Sequence, residues 1–247
     1  MLFWPMAGAD PPGSDQGTRA RFLPPHRRTR PAWNVSAAAL LGFGLGVCWP
    51  AWHVAIEPDQ VLAGIVRYPV PTPFQLYETQ VWNAWHQLLA PLLAVGAPEL
   101  ALSIALSGAV AALAFAAVAG FAHALGANAA LALAAPFHVF LSGPAQEGFS
   151  YPILLVGHGH TYGMAGLSGV ALFCAALAAE RWRLAGFLLG LAPALHASLG
   201  AWLAVAFALA VLAGLQGLRP HLRALAKGVA PGVALSAASL AAHFWLT

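Results

Sequence analysis

The sequence predicts an all-α fold: a polytopic helical membrane protein of about seven transmembrane spans, with a surface-lying helix in the first external loop. Three observations predict it. Of 247 residues, 60% are hydrophobic and only 8% charged, whereas a soluble domain carries roughly 25% charged residues. Charge-free stretches run far longer than one bilayer crossing. Once those stretches are folded into spans, ten of the eleven Lys/Arg residues fall on one side. This composition excludes a cytosolic enzyme, a secreted disulfide scaffold and a nucleic-acid-binding domain. Cys48 and Cys174 both sit inside apolar runs and read as small core residues rather than a disulfide pair. The pI near 9.2 reflects orientation, not an anionic partner.

Residues 1–31 stand apart, with six prolines and five arginines (Arg19, Arg21, Arg27, Arg28, Arg30). They read as a disordered basic cytoplasmic tail, and 32–247 as a single transmembrane helical domain. The tail lacks the basic start and the clean small-residue cleavage site of a secretory signal, so the first span reads as a retained anchor. That span covers about Val35 to Ile56, long enough for the ~30 Å hydrocarbon core at ~1.5 Å per residue, and ends in Trp49, Trp52 and His53, an interfacial aromatic set. A polar stretch follows, then an amphipathic segment near Tyr77–Leu93. There Trp82, Trp85, Leu89 and Leu92 recur at three- and four-residue spacing, the pattern of a helix lying on the membrane surface.

From Leu100 to Leu141 there are 42 residues without Lys, Arg, Asp or Glu. One helix of that length would be about 63 Å, twice the bilayer core, so the run holds two spans turning at about Ala122–Asn128. A second external loop, Ser142–Tyr162, leads to a span at Gly163–Ala179. Leu184–Gly217 is again too long for one helix, and both of its ends are basic. It therefore reads as a hairpin whose tip, His196-Ala-Ser-Leu-Gly200, stops short of the outer surface. Irregular backbone at that depth must be buried in protein or line a wet cavity. The last span is about Gly228–Phe244. With the amino end inside, ten of the eleven Lys/Arg residues lie inside and only Arg67 outside, whereas five of the eight acids (Glu57, Asp59, Glu78, Glu99, Glu147) lie at or beyond the outer boundary.

The outer face then gathers Glu57, Asp59, Gln60, Arg67, Tyr68, Glu78, His86, Glu147, His158, His160 and His196. For most of these a solvated loop is a sufficient explanation. Glu57 and Asp59 close an apolar helix, where charge is costly unless paired or solvated by a cavity. Partial desolvation there strengthens a carboxylate as a general base. His158-Gly-His160 places two imidazoles two residues apart, a weak pattern for a divalent metal ion in company with Glu147, Glu57 or Asp59. His196, in a half-depth turn, needs a partner. Arg67 breaks the inside bias of the basic residues, and pairing with a phosphate or with a neighbouring acid accounts for it.

Ile56-Glu-Pro-Asp-Gln60 after the first span, Gln60-Val-Leu-Ala-Gly-Ile-Val-Arg-Tyr-Pro69 and Leu191-Ala-Pro-Ala-Leu-His-Ala-Ser-Leu-Gly200, together with the surface helix in the first external loop, resemble the C-type (GT-C) fold of membrane glycosyltransferases in bacteria. The resemblance covers roughly residues 35–247 at the level of architecture. It implies a bacterial inner (plasma) membrane protein that transfers a sugar from a polyprenyl-phosphate lipid donor to an acceptor hydroxyl on the outer face, with membrane lipids as its other partners. It also implies that Asp59 or Glu57 is the catalytic base. Arg67, His196 and Glu147 are substrate-binding candidates by location, and His158 and His160 are metal candidates. The paired acids are split by Pro58 here. The chain stops after Ala241-Ala-His-Phe-Trp-Leu-Thr247, as expected of the family's N-terminal seven-span module alone. A small-solute transporter and a non-catalytic membrane scaffold are the alternatives. A cavity closed on the cytoplasmic side favours the enzyme, a polar path through the bundle favours transport, and dispersed polar residues favour the scaffold.

Overall fold

The computed structural model describes residues 32–50, 53, 55–142, 162–213 and 218–247. The 1–31 tail, and with it any test of its predicted character, lies outside them. All described residues belong to one compact unit, Pro31–Thr247.

The elements are helical throughout the described residues: α1 (Ala32–Cys48), α2 (Glu57–Leu62), α3 (Pro73–Gln80), α4 (Ala84–Ala94), α5 (Glu99–Ala124), α6 (Ala129–Ser142), α7 (Tyr162–Ala178), α8 (Trp182–Leu195), α9 (Ala197–Leu212) and α10 (Leu222–Leu246), the last entered through a 3-10 turn at Arg219–His221. Local chemistry sets several of these boundaries. The charge-free 100–141 run breaks after Ala124. There Gly126 takes a φ of +98°, which costs glycine nothing, and the Asn128 side chain accepts the Leu131 N–H at 2.9 Å to start α6. The 184–217 run breaks at His196, between α8 and α9.

Two boundaries differ from the sequence expectation. Helix α1 ends at Cys48 rather than near Ile56; Pro50 follows, and a proline there would lack the N–H needed to continue the ladder. The amphipathic segment is two helices, because Asn83 caps α4 by accepting the Trp85 N–H at 2.9 Å. The buried row of α4 is His86, Leu89, Ala90 and Leu93. Leu92, expected on that face, is 46% exposed. Helix α4 also packs on α2 and α10, tied to α10 by Trp82 Nε1 donating to Ser239 Oγ at 3.1 Å and Ser239 Oγ donating to Gln87 Oε1 at 2.6 Å.

Among the described residues two helices, Glu99–Ala124 and the Arg219–Leu246 segment, are long and apolar enough to cross a membrane. Five further apolar helices have 10–17 residues. The 14-residue α8 measures about 21 Å at 1.5 Å rise per residue. The expectation of seven full spans therefore meets two helices of sufficient length and five shorter ones. The bundle exterior carries large apolar side chains, including Trp202 at 71% and Leu212 at 80% exposure.

Small residues set the helix packing. Gly186 and Gly190 of α8 face Gly228 and Gly232 of α10. A Cβ on Gly186 would lie 2.1 Å from the Leu225 carbonyl oxygen, and one on Gly228 would lie 2.0 Å from that of Arg183. These are two small-xxx-small ridges in direct backbone contact. Residue numbers rise together along the pair, so α8 and α10 run parallel. Along α1 and α5 they run oppositely: Gly42 meets Ala111 and Phe115, and Gly46 meets Ser107. One core forms around Leu93, Val110, Phe115 and Met164 and another around Phe173, Ala185, Leu203 and Leu225. The C-terminal end of α1, the N-terminal ends of α5 and α7, and the short helices α2 and α4 consequently meet at one end of the bundle.

Candidate functional site

At that end a single carboxylate is completely enclosed. Asp59 stands in the first turn of α2, which Pro58 starts by fixing φ at a position whose N–H has no helical partner. Its side chain is 0% exposed. One carboxylate oxygen, Oδ1, lies 2.7 Å from His86 Nδ1, and the other, Oδ2, accepts the Tyr162 hydroxyl at 2.5 Å. The His86 and Tyr162 rings meet edge to face with centroids 4.9 Å apart. Helices α2, α4 and α7 each contribute one member. Ile56, Leu89, Leu93 and Met164 belong to the apolar cluster of the same end.

This geometry has chemical consequences. A carboxylate can only accept hydrogen bonds, so the proton between Asp59 and His86 sits on Nδ1. A neutral imidazole then presents its Nε2 lone pair. Nε2 has no hydrogen-bond partner among the described residues. Because both Asp59 oxygens are occupied, Asp59 orients and polarises His86, whose own side chain is buried at 2% exposure, and Nε2 is the nitrogen of the ring that keeps a lone pair.

The other predicted residues fall as follows. Glu57, two positions before Asp59, is exposed and accepts the Tyr68 hydroxyl, which pins the α2–α3 connection to the start of α2. Gln60 Nε2 donates to Glu99 Oε2 at 2.6 Å, fastening α2 to the start of α5. Arg67 is exposed in the α2–α3 connection and makes no ion pair among the described residues. His196 caps α9, its Nδ1 accepting the Leu199 N–H at 3.4 Å and lying 3.1 Å from Ser198 Oγ. A Cβ on Gly166, one turn into α7 from Tyr162, would lie 2.5 Å from His196 Cβ. His196 thus stands at the same end as Asp59, as a helix cap. Glu147, His158 and His160 lie outside the described residues. No group of three or more His, Cys, Asp or Glu side chains among the described residues could hold a metal ion.

The structure brings Asp59, which the sequence nominates, together with His86, which the sequence places on the same face without a role, and with Tyr162, which it gives no part in the site. His86 carries a faint signal, a polar residue in the apolar i, i+3, i+4, i+7 row of α4 with Leu89, Ala90 and Leu93. Tyr162 carries none, being 103 positions from Asp59. No family model matches the chain, and neither a curated protein nor a solved structure is similar to it.

Proposed function

We propose that this chain is an integral membrane glycosyltransferase of the bacterial inner membrane. Its seven apolar helices all cross or enter the bilayer, its amino end is cytoplasmic, and the Asp59 end faces outward. It transfers a sugar from a polyprenyl-phosphate donor to an acceptor hydroxyl. The observation that carries this reading is the Asp59–His86–Tyr162 cluster: an enclosed acid–imidazole pair immediately after the first apolar helix, in the position where the resemblance to C-type glycosyltransferases puts the catalytic acid. The apolar exterior and the ten-to-one partition of Lys/Arg residues support the membrane placement.

In this reading His86 Nε2 accepts the proton of the acceptor hydroxyl as its oxygen attacks the anomeric carbon. The bond from that carbon to the phosphate oxygen breaks, and the configuration inverts. Asp59 stabilises the imidazolium that forms, and Tyr162 holds the second Asp59 oxygen. Arg67, exposed in the α2–α3 connection and without an ion pair among the described residues, meets the leaving phosphate. Glu147 is carried as a substrate-binding candidate, and His158 and His160 as metal candidates, in the segment that precedes Tyr162.

The complete enclosure of Asp59 favours a second reading, a non-catalytic membrane scaffold in which the cluster is a structural tie between α2, α4 and α7. A transfer assay in nanodiscs with a panel of polyprenyl-linked sugars separates the two. Wild type and Glu57→Gln should transfer, and Asp59→Asn should not. A folded wild type that uses no donor in the panel leaves the structural tie as the answer.

A further inference from the structure

The opposite end of the bundle carries charge that sugar transfer does not use. Among the described residues, Arg181, Arg183, Arg219, Arg223 and Lys227 lie there with one acid, Glu180, and none of the five enters an ion pair among those residues. Two distant stretches of chain are brought together at this end by the parallel α8–α10 contact, in which Gly228 abuts the Arg183 carbonyl. The Trp182 indole lies flat on the His221 ring, with centroids 4.0 Å apart and planes 6° from parallel.

Beside this cluster an apolar groove opens along α10, walled by Phe207 of α9 and by Leu222, Ala226, Val229 and Val233 of α10. It begins at Leu222, between Arg219 and Arg223 in the chain, and extends about 16 Å at 1.5 Å rise per residue. Arg223 shares one face of α10 with the groove residues Ala226 and Ala230 at i, i+3 and i+7, so it lies on the groove's side of the helix, about one turn before Ala226. Arg181 and Arg183 instead border a separate shallow cleft with Trp182, Leu184 and Ala224.

An open apolar groove beside guanidinium groups that make no ion pair among the described residues matches a molecule with an anionic head and a hydrocarbon tail. We propose that Arg219, Arg223 and the α9–α10 groove bind an anionic phospholipid. The two arginines hold the headgroup phosphate through charge-assisted hydrogen bonds, and one acyl chain lies against Phe207, Leu222 and Val229. The excess of cations over acids at this end selects an anionic head over a zwitterionic one. The proposal rests on the membrane placement above but not on sugar transfer.

The test is native mass spectrometry of the full chain extracted from nanodiscs of phosphatidylcholine with a minor fraction of phosphatidylglycerol. Wild type should retain phosphatidylglycerol preferentially. Arg219→Gln/Arg223→Gln should weaken that preference roughly 30-fold, the loss of two cations at a charged surface. Ala230→Trp, which obstructs the groove and keeps every charge, should also lose retention. Arg181→Gln/Arg183→Gln, an identical change in net charge on the other cleft, should retain it. Equal losses in the two double variants would mean a diffuse field and overturn the site, as would equal retention of both lipids by wild type. A chain that does not enter the discs overturns the membrane placement and the lipid site together.

Discussion

Replacing Asp59 by Asn changes little in volume but removes the charge that accepts from His86 and Tyr162 at once. Each of these hydrogen bonds to a buried charge contributes about 1.5–3 kcal/mol, and Asp59→Asn, which weakens both, should lower the thermal unfolding temperature in detergent accordingly. Tyr162→Phe deletes one charge-assisted hydrogen bond and leaves Asp59 bound to His86, so a smaller loss of about 1.5–3 kcal/mol is expected in the same melt. Equal stability of Asp59→Asn and wild type would show that the carboxylate contributes nothing to holding the three helices. At this scale the sequence was half legible. Asp59 is conspicuous because it follows directly on an apolar run. Its partners are hidden because hydrogen bonds between helices depend on which helices become neighbours. No local pattern links Tyr162 to position 59.

Among the helices, the sharpest prediction concerns two glycines of opposite character. Gly186→Ala places a Cβ 2.1 Å from the Leu225 carbonyl oxygen, a rigid backbone atom, so α8 and α10 must move apart. Overpacking of this kind costs about 1–3 kcal/mol. Gly44, on α1, has nothing within 4 Å of an added Cβ. Gly44→Ala should therefore be neutral or stabilising by about 0.5–1 kcal/mol, through helix propensity alone. Parallel melts of the two variants check the contrast, and similar values for both would contradict the backbone contact between α8 and α10. The helix breaks at 125–128 and 196 follow from length and from turn-forming residues, which is why the sequence locates them. The break at Val81–Asn83 is harder to see, because the apolar spacing of Trp82, Trp85 and Leu89 continues through it while Asn83 competes for the backbone. The early stop of α1 is signalled by Pro50, against the apolar residues that continue past it.

For the whole molecule, the membrane placement predicts which surfaces face which side. In a Cys48→Ser/Cys174→Ser background, Val70→Cys, at a position 84% exposed in the α2–α3 connection, should react with an impermeant thiol reagent added to intact cells. Ala127→Cys, in the α5–α6 turn, should react only after permeabilisation. The reverse pattern would invert the orientation, and labelling of both in intact cells would contradict an outer and an inner end. Composition makes the apolar helical class plain, because 8% charge cannot cover a water-facing surface. The number of full crossings is less legible: an apolar run gives the total length available, whereas capping and proline decide how much of it becomes one straight helix.

The proposed role of His86, held by Asp59, as the proton acceptor of a sugar transfer is tested most directly by comparing His86→Gln with Tyr162→Phe in the nanodisc transfer assay, with melting temperatures recorded alongside. His86→Gln should lose transfer by about 10²–10⁴-fold, the contribution of a general base. Tyr162→Phe, with the Asp59–His86 pair intact, should stay within about tenfold of wild type, the loss of one positioning hydrogen bond. Comparable transfer by both variants, each folded, would contradict it.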